Sequence, residues 1–151
     1  FSTVSIALYS GKTPLFSFVG IIPGFKLGFI NLDGKAVFDN QQISVSSIKK
    51  KDEAVICTGI PSRQIINKKE KEIFLTNFVT FSKVRMLGSA SYSLLQLAKG
   101  SVDAYYEREI MIWDVAAGLG LVNAAGGNFE FYEGMQKNSL IVSANNSKLI
   151  V

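Results

Sequence analysis

The sequence predicts an α/β fold in two stretches, a short antiparallel β-meander followed by a mixed α/β sheet layer. Three observations predict it. Val4, Ile6 and Leu8 alternate with Ser5, Ala7 and Tyr9, the two-residue period of a half-buried strand. From residue 54 onward, short strand-like runs alternate with helix-like ones, the order that builds a layered sheet. With 151 residues, 48% of them hydrophobic and 19% charged, the composition is globular and large enough for one real core.

The elements follow in order. The first strand stops at Ser10-Gly11, and a second apolar run over residues 15–22 is closed by Pro23-Gly24. Residues 25–30 and 36–38 flank Asp33-Gly34, which predicts a hairpin because both central positions tolerate positive φ. After Lys49-Lys50-Lys51, residues 54–57 read as a strand leading into Thr58-Gly59-Ile60-Pro61. Residues 64–76 read as a helix with Ile66, Ile73 and Phe74 on one side, and 79–86 as a strand. Residues 89–99 read as a helix whose Ala90, Leu94, Leu95 and Ala98 share a face and which Gly100 stops. A strand over 102–107, a helix over 114–125 ending at Gly126-Gly127, and strands over 128–132 and 140–143 complete the chain. The expected division is 1–47 for the antiparallel sheet and 48–151 for the α/β part.

Composition excludes several chemistries. The chain holds no histidine, which rules out within it a Ser-His-Asp triad, a His general acid and a His-ligated zinc. Cys57 is the single cysteine, so no intrachain disulfide forms, and a reducing, cytoplasmic location is expected. The net charge is a mild +4. The basic runs at Lys49-Lys50-Lys51 and Lys68-Lys69-Glu70-Lys71-Glu72 lack interleaved aromatics, so they read as solvated surface rather than a nucleic-acid patch. No apolar run is long enough for a membrane span. The chain opens at Phe1 in mid-pattern, the start expected of the middle of a protein.

Three groups of residues invite a chemical reading. Five residues separate Cys57 from Arg63, the spacing of cysteine phosphatases, but Ile56, Gly59 and Gln64 depart from that pattern and a structural strand-end cysteine is the simpler reading. Gly118 and Gly120 suggest a dinucleotide fingerprint, yet Asn123 stands at the third glycine and the pair lies inside a helix pattern. Ala116, Ala117, Gly120 and Ala124 more simply form a small face for close packing on a sheet. The third group is acidic: Glu107, Glu109 and Asp114 fall at a strand end, in a loop and at a helix N-terminus. Asp114 as an N-cap would accept the helix's free amides, which is the reading the residues alone favour; a carboxylate there would equally suit a hard cation.

Trp113-Asp114-Val115-Ala116-Ala117-Gly118, with Ala124-Ala125-Gly126-Gly127 after it, resembles the C-terminal signature of the inositol monophosphatase family. Upstream, Gly88-Ser89-Ala90 and Ala98-Lys99-Gly100-Ser101-Val102-Asp103-Ala104-Tyr105-Tyr106-Glu107 resemble its helix and following strand at matching spacing. Thr58-Gly59-Ile60-Pro61 is similar to its Thr-Gly-Phe-Pro segment. Gly34-Lys35-Ala36-Val37-Phe38-Asp39-Asn40 is similar to its turn and strand, with Gln41 in place of a glycine.

The resemblance implies the C-terminal portion of the layered αβαβα sugar-phosphatase fold shared with fructose-1,6-bisphosphatases, and a Mg²⁺-dependent phosphomonoesterase acting on a polyol or sugar phosphate. In such enzymes metal polarises the phosphate and activates a water. It further implies Asp114 as a Mg²⁺ ligand, Trp113 packing behind it, Gly88, Ser89 and Ala90 against the substrate's ring, and Glu107 accepting from its hydroxyls. A homodimer is expected. The family's Asp-Pro-x-Asp-Gly-Thr element lies before the first strand and is not in this sequence, so little or no activity is expected of the 151 residues alone. The alternative expectation is a degenerate member that binds a protein or RNA partner without catalysis.

Overall fold

The computed structural model describes residues 2–60 and 68–149. The first sheet is an antiparallel meander in chain order, β1 (Ser2–Ser10), β2 (Thr13–Ile22), β3 (Lys26–Ile30), β4 (Ala36–Phe38) and β5 (Gln41–Gln42). The second has the order β7-β6-β8-β10-β9, from β6 (Val55–Thr58), β7 (Lys83–Arg85), β8 (Ala104–Met111), β9 (Asn128–Glu133) and β10 (Ser139–Asn145). It is mixed: β6 runs parallel to β7 and β8, and β10 runs antiparallel to β8 and β9. The predicted meander followed by a mixed α/β layer is therefore what the chain forms.

Between the sheets lie α2 (Ala90–Ala98) and α3 (Ile112–Ala124), each touching both; α1 (Lys68–Thr80) packs beside β7. The core is continuous through this helix layer. Leu94, Leu95, Leu97, Val115, Leu121 and Val122 meet Val19 and Ala36 on one side and Tyr105 and Val142 on the other. Two glycines of α3 make the close spacing possible. A Cβ at Gly118 would lie 2.5 Å from Leu94 Cβ, and one at Gly120 would overlap Ser17 Oγ of β2. The small face is thus a packing surface, as the sequence suggests.

Several boundaries differ from expectation. Only Gly34 of the Asp33-Gly34 pair takes positive φ (73°); Asn31 Oδ1 accepts from the Asp33 and Lys35 amides and so holds a longer turn. The turn with two left-handed central residues is instead Asp39-Asn40, at φ 52° and 62°, joining β4 to β5. Residues 79 and 80 belong to α1, where the Phe74 and Phe78 rings meet at 5.0 Å one helical turn apart, so the expected strand shrinks to β7. Ile73 and Phe74 are half-buried as expected, while Ile66 lies outside the described residues.

The first strand carries a further difference. Its apolar row, Val4, Ile6 and Leu8, is 49–58% exposed and faces away from the helix layer. Thr3, Ala7 and Tyr9 face the helices: Tyr9 Oη donates to the Ala116 carbonyl at 2.8 Å, and Thr3 reaches α2. Polar anchoring, not apolar content, selects the inner face of this strand.

Candidate active site

A cleft of about 590 Å³ opens where the ends of β6 and β8 meet the N-termini of α2 and α3. Gly88, Ser89, Ala90, Glu107 and Asp114 all line it. Each is placed by its own element. Gly88 has φ 73°, which turns the chain into α2, and Ser89 caps that helix, its Oγ accepting from Tyr92 N at 3.4 Å. Lys99 and Gly100 (φ 70°) close the same helix at its far end.

Glu107 projects from β8 over the end of β6. Tyr105 Oη donates to its Oε2 at 2.6 Å, and Gly59 makes room for it, because a Cβ there would lie 2.5 Å from Glu107 Cδ. Burial raises the Glu107 carboxyl above its ordinary value, and the charge of Asp114 adds to that against the Tyr105 hydrogen bond. Burial likewise raises Asp114. Glu107 thus feels the Asp114 charge across a partly dehydrated cleft.

Asp114 is not the N-cap. Met111 takes that position, and Asp114 is the third residue of α3, with no hydrogen bond to its carboxylate among the described residues. The helix starts two residues early because Ile112 N donates to the Asn138 carbonyl, which fixes the entry of the chain. Asp114 still sits in the first turn, where the helix's partial positive charge favours an anion. Trp113, expected to pack behind it, is 58% exposed and does not line the cleft.

Glu109 leaves the acidic group altogether. It occupies an irregularity of β8 opposite β10, with φ 53°, and is only 7% exposed. Its carboxylate accepts from Met135 N at 3.0 Å, Gln136 N at 3.3 Å and Ser139 Oγ at 2.6 Å, closing the β9–β10 turn. Burial alone would raise its pKa, but these donors and the Arg108 charge outweigh burial and hold it low.

Cys57 is fully buried, and burial pushes its thiol up to about 11, against a hydrogen bond with Ser93 and the charge of Arg85. A neutral buried thiol is not a nucleophile. Ser62, Arg63 and Gln64 of that loop lie outside the described residues.

The donor chemistry meets a divalent cation halfway. A carboxylate at a helix N-terminus with no hydrogen bond among the described residues, as at Asp114, would suit a hard cation. Among the described residues, however, no group of three or more His, Cys, Asp or Glu converges. Asp114 alone would offer such a cation one oxygen donor, which is not a complete site. Several cleft residues escaped sequence reasoning, among them the hydroxyl-bearing Thr3, Ser91 and Ser93. The spacing Ser89-Ala90-Ser91-Tyr92-Ser93 was a usable signal for the serines, while Thr3 comes from a strand more than eighty residues away.

A family profile described as the inositol monophosphatase family matches residues 1–150. The chain belongs to this family. Inositol-1-monophosphatase of Rhizobium meliloti (strain 1021) is 35% identical over 95 residues, covering 62% of the chain and 36% of the relative. The Nus factor SuhB of Vibrio cholerae is 32% identical over 117 residues, covering 72% of the chain and 43% of the relative. Among solved structures, inositol monophosphatase from Anabaena (Nostoc) sp. PCC 7120 superposes with a TM-score of 0.85 at 27% identity, over 97% of the chain and 61% of that protein. The chain therefore spans between 36% and 61% of the length of these relatives.

Proposed function

We propose that the chain forms the ring-binding side of a Mg²⁺-dependent phosphomonoesterase that acts on a polyol or sugar phosphate. The observation that carries this is the convergence of Gly88, Ser89, Ala90, Glu107 and Asp114 on one cleft, although they span 27 positions of sequence. Glu107, held by Tyr105 and given room by Gly59, accepts hydrogen bonds from ring hydroxyls. The backbone at Gly88–Ala90 lies against the ring, and Asp114 supplies one oxygen ligand to Mg²⁺. The bound metal would supply electrophilic polarisation of the phosphate and an activated water. No group of three or more His, Cys, Asp or Glu converges among the described residues, so the chemical step is not assigned to this chain.

Titration of the 151-residue chain with myo-inositol 1-phosphate, with and without Mg²⁺, tests the reading. Binding weakened by Glu107→Gln, with a Mg²⁺-dependent increment lost in Asp114→Asn, is the expected result. No binding, or binding indifferent to both substitutions, overturns it. Phosphate release by the chain alone is expected to be negligible, and Mg²⁺-dependent turnover lost in Asp114→Asn would reverse that expectation.

A second reading is a family member that binds a protein or RNA partner and performs no chemistry. It is favoured by relatives of comparable identity that carry the name Nus factor rather than phosphatase. Under it, the chain captures a partner with the cleft acids substituted, and inositol phosphate does not compete.

A further inference from the structure

The cleft wall contributed by β1 and α2 carries a hydroxyl cluster in which Ser89 is joined by Thr3 and Ser91. Thr3 Oγ1 and Ser91 Oγ lie 2.6 Å apart, with Ser89 Oγ 3.3 Å from Ser91 and 3.4 Å from Thr3. Thr3, Ser89 and Ser91 all line the cleft that also holds Glu107. Resting on the polyol phosphate reading above, we propose that Thr3 and Ser91 are specificity-determining residues, which with Ser89 supply the second hydrogen-bonding wall for the substrate's ring hydroxyls.

The argument is one of donor and acceptor supply. An ionised carboxylate only accepts, so Glu107 satisfies the proton of a substrate hydroxyl and leaves its lone pairs bare. Where the bound ring shields such an acceptor from water, leaving it unsatisfied costs as much as a lost hydrogen bond. The hydroxyls of Thr3, Ser89 and Ser91 can each donate as well as accept, and every one of their mutual contacts is of undetermined direction. Turning one proton toward the ring gives up only one long contact, such as Thr3–Ser89 at 3.4 Å, and keeps the 2.6 Å Thr3–Ser91 pair with Ser91 donating. Ser89 is already committed to Tyr92 N, and Ser91 is 6% exposed, which leaves Thr3 as the outermost donor with Ser91 fixing its orientation. A phosphate ester with no ring hydroxyls would gain nothing from this wall. It thus discriminates by the alcohol part of the ester and not by the phosphate.

The test compares myo-inositol 1-phosphate with phenyl phosphate, which has no ring hydroxyls, by amide chemical-shift titration of the chain. Thr3→Val and Ser91→Ala are expected to weaken the inositol ester roughly five- to ten-fold, the loss of about one hydrogen bond, and to leave phenyl phosphate unchanged. Thr3→Ser, which keeps the hydroxyl, should retain wild-type selectivity, whereas a purely structural tie between β1 and α2 would alter melting temperature and leave the ratio of the two affinities alone. Equal weakening of both esters, or none, while Glu107→Gln still weakens the inositol ester, overturns this proposal and leaves the polyol phosphate reading standing. If wild-type protein binds the inositol ester no better than phenyl phosphate and Glu107→Gln changes nothing, that reading falls and the proposal falls with it.

Discussion

Glu107 and Glu109 stand two positions apart on β8, yet their surroundings pull their protonation in opposite directions. Burial and the Asp114 charge raise Glu107, whereas the donors of the β9–β10 turn bring Glu109 below its ordinary 4.5. A raised folded-state pKa contributes stability that is present below the unfolded value and lost as pH rises through the folded one. For Glu109 the sign reverses: its contribution is present above 4.5 and lost as pH falls through the lowered value. Urea unfolding from acid to neutral pH should therefore separate them. Glu109→Gln is expected to cost about 2 kcal/mol at neutral pH, with little effect in acid. Glu107→Gln should leave neutral stability equal or higher, and remove a decline that runs the other way. Matching pH profiles for the two variants would refute the assignment. The sequence exposes Glu107, Asp114 and Gly88–Ala90 because they sit in contiguous signatures. Glu109 escapes such a reading because its partners lie 26 to 30 residues downstream. The cap assignment of Asp114 fails for a similar reason, since the apolar Ile112 that opens α3 is positioned by the distant Asn138 carbonyl.

At the scale of elements, the packing of α3 on α2 depends on one missing methyl group. Gly118 faces Leu94 so closely that an added Cβ would stand 2.5 Å from Leu94 Cβ and 2.8 Å from its Cδ1, and backbone has to move to accommodate it. Gly118→Ala is expected to destabilise by about 1–3 kcal/mol despite its better helix propensity, which favours alanine by under about 1 kcal/mol. Thermal unfolding reads the difference, and a variant as stable as the parent would mean that the helices are not in this contact. Element types were legible from periodicity: each strand and helix predicted for residues 89–145 has a counterpart there. Ends were less so, because they are set by contacts that periodicity does not encode. The strand expected over 79–86 yields its first residues to α1, and β8 begins at Ala104 rather than at 102 while Asp103 turns its side chain to Val55 N. Which face of β1 points inward was not legible either, since alternation gives two faces and Thr3 and Tyr9 decide between them.

The whole molecule is joined by a buried polar junction remote from the cleft's lining. Asp103 is 5% exposed; it accepts from Val55 N at 2.7 Å and from Ser46 Oγ. Asn146, fully buried, donates through Nδ2 to Ser46 Oγ and to the Ile48 carbonyl, both at 2.8 Å, and its Oδ1 accepts from the amides of Lys148 and Leu149. Three pieces of chain are tied here around Asp103: the segment linking the two sheets, the start of β6 and the residues after β10. Sequence separations of 57 and 100 residues keep the junction invisible in any local pattern. Because a buried network is costly once half-satisfied, its loss should be felt at all three pieces together. Asp103→Ala is expected to cost about 3 kcal/mol, from two lost hydrogen bonds to a charged acceptor. Asp103→Asn, which keeps an acceptor oxygen, should cost less. Native-state hydrogen exchange is the sharper measurement: protection should fall in concert at Val55, Lys148 and Leu149 in the alanine variant, since release of Ser46 leaves the Asn146 side chain with the Ile48 carbonyl as its one remaining Nδ2 acceptor among the described residues. Faster exchange confined to Val55 would mean that Asp103 serves one strand only, and that the two sheets and the chain end are held together by the apolar helix layer alone.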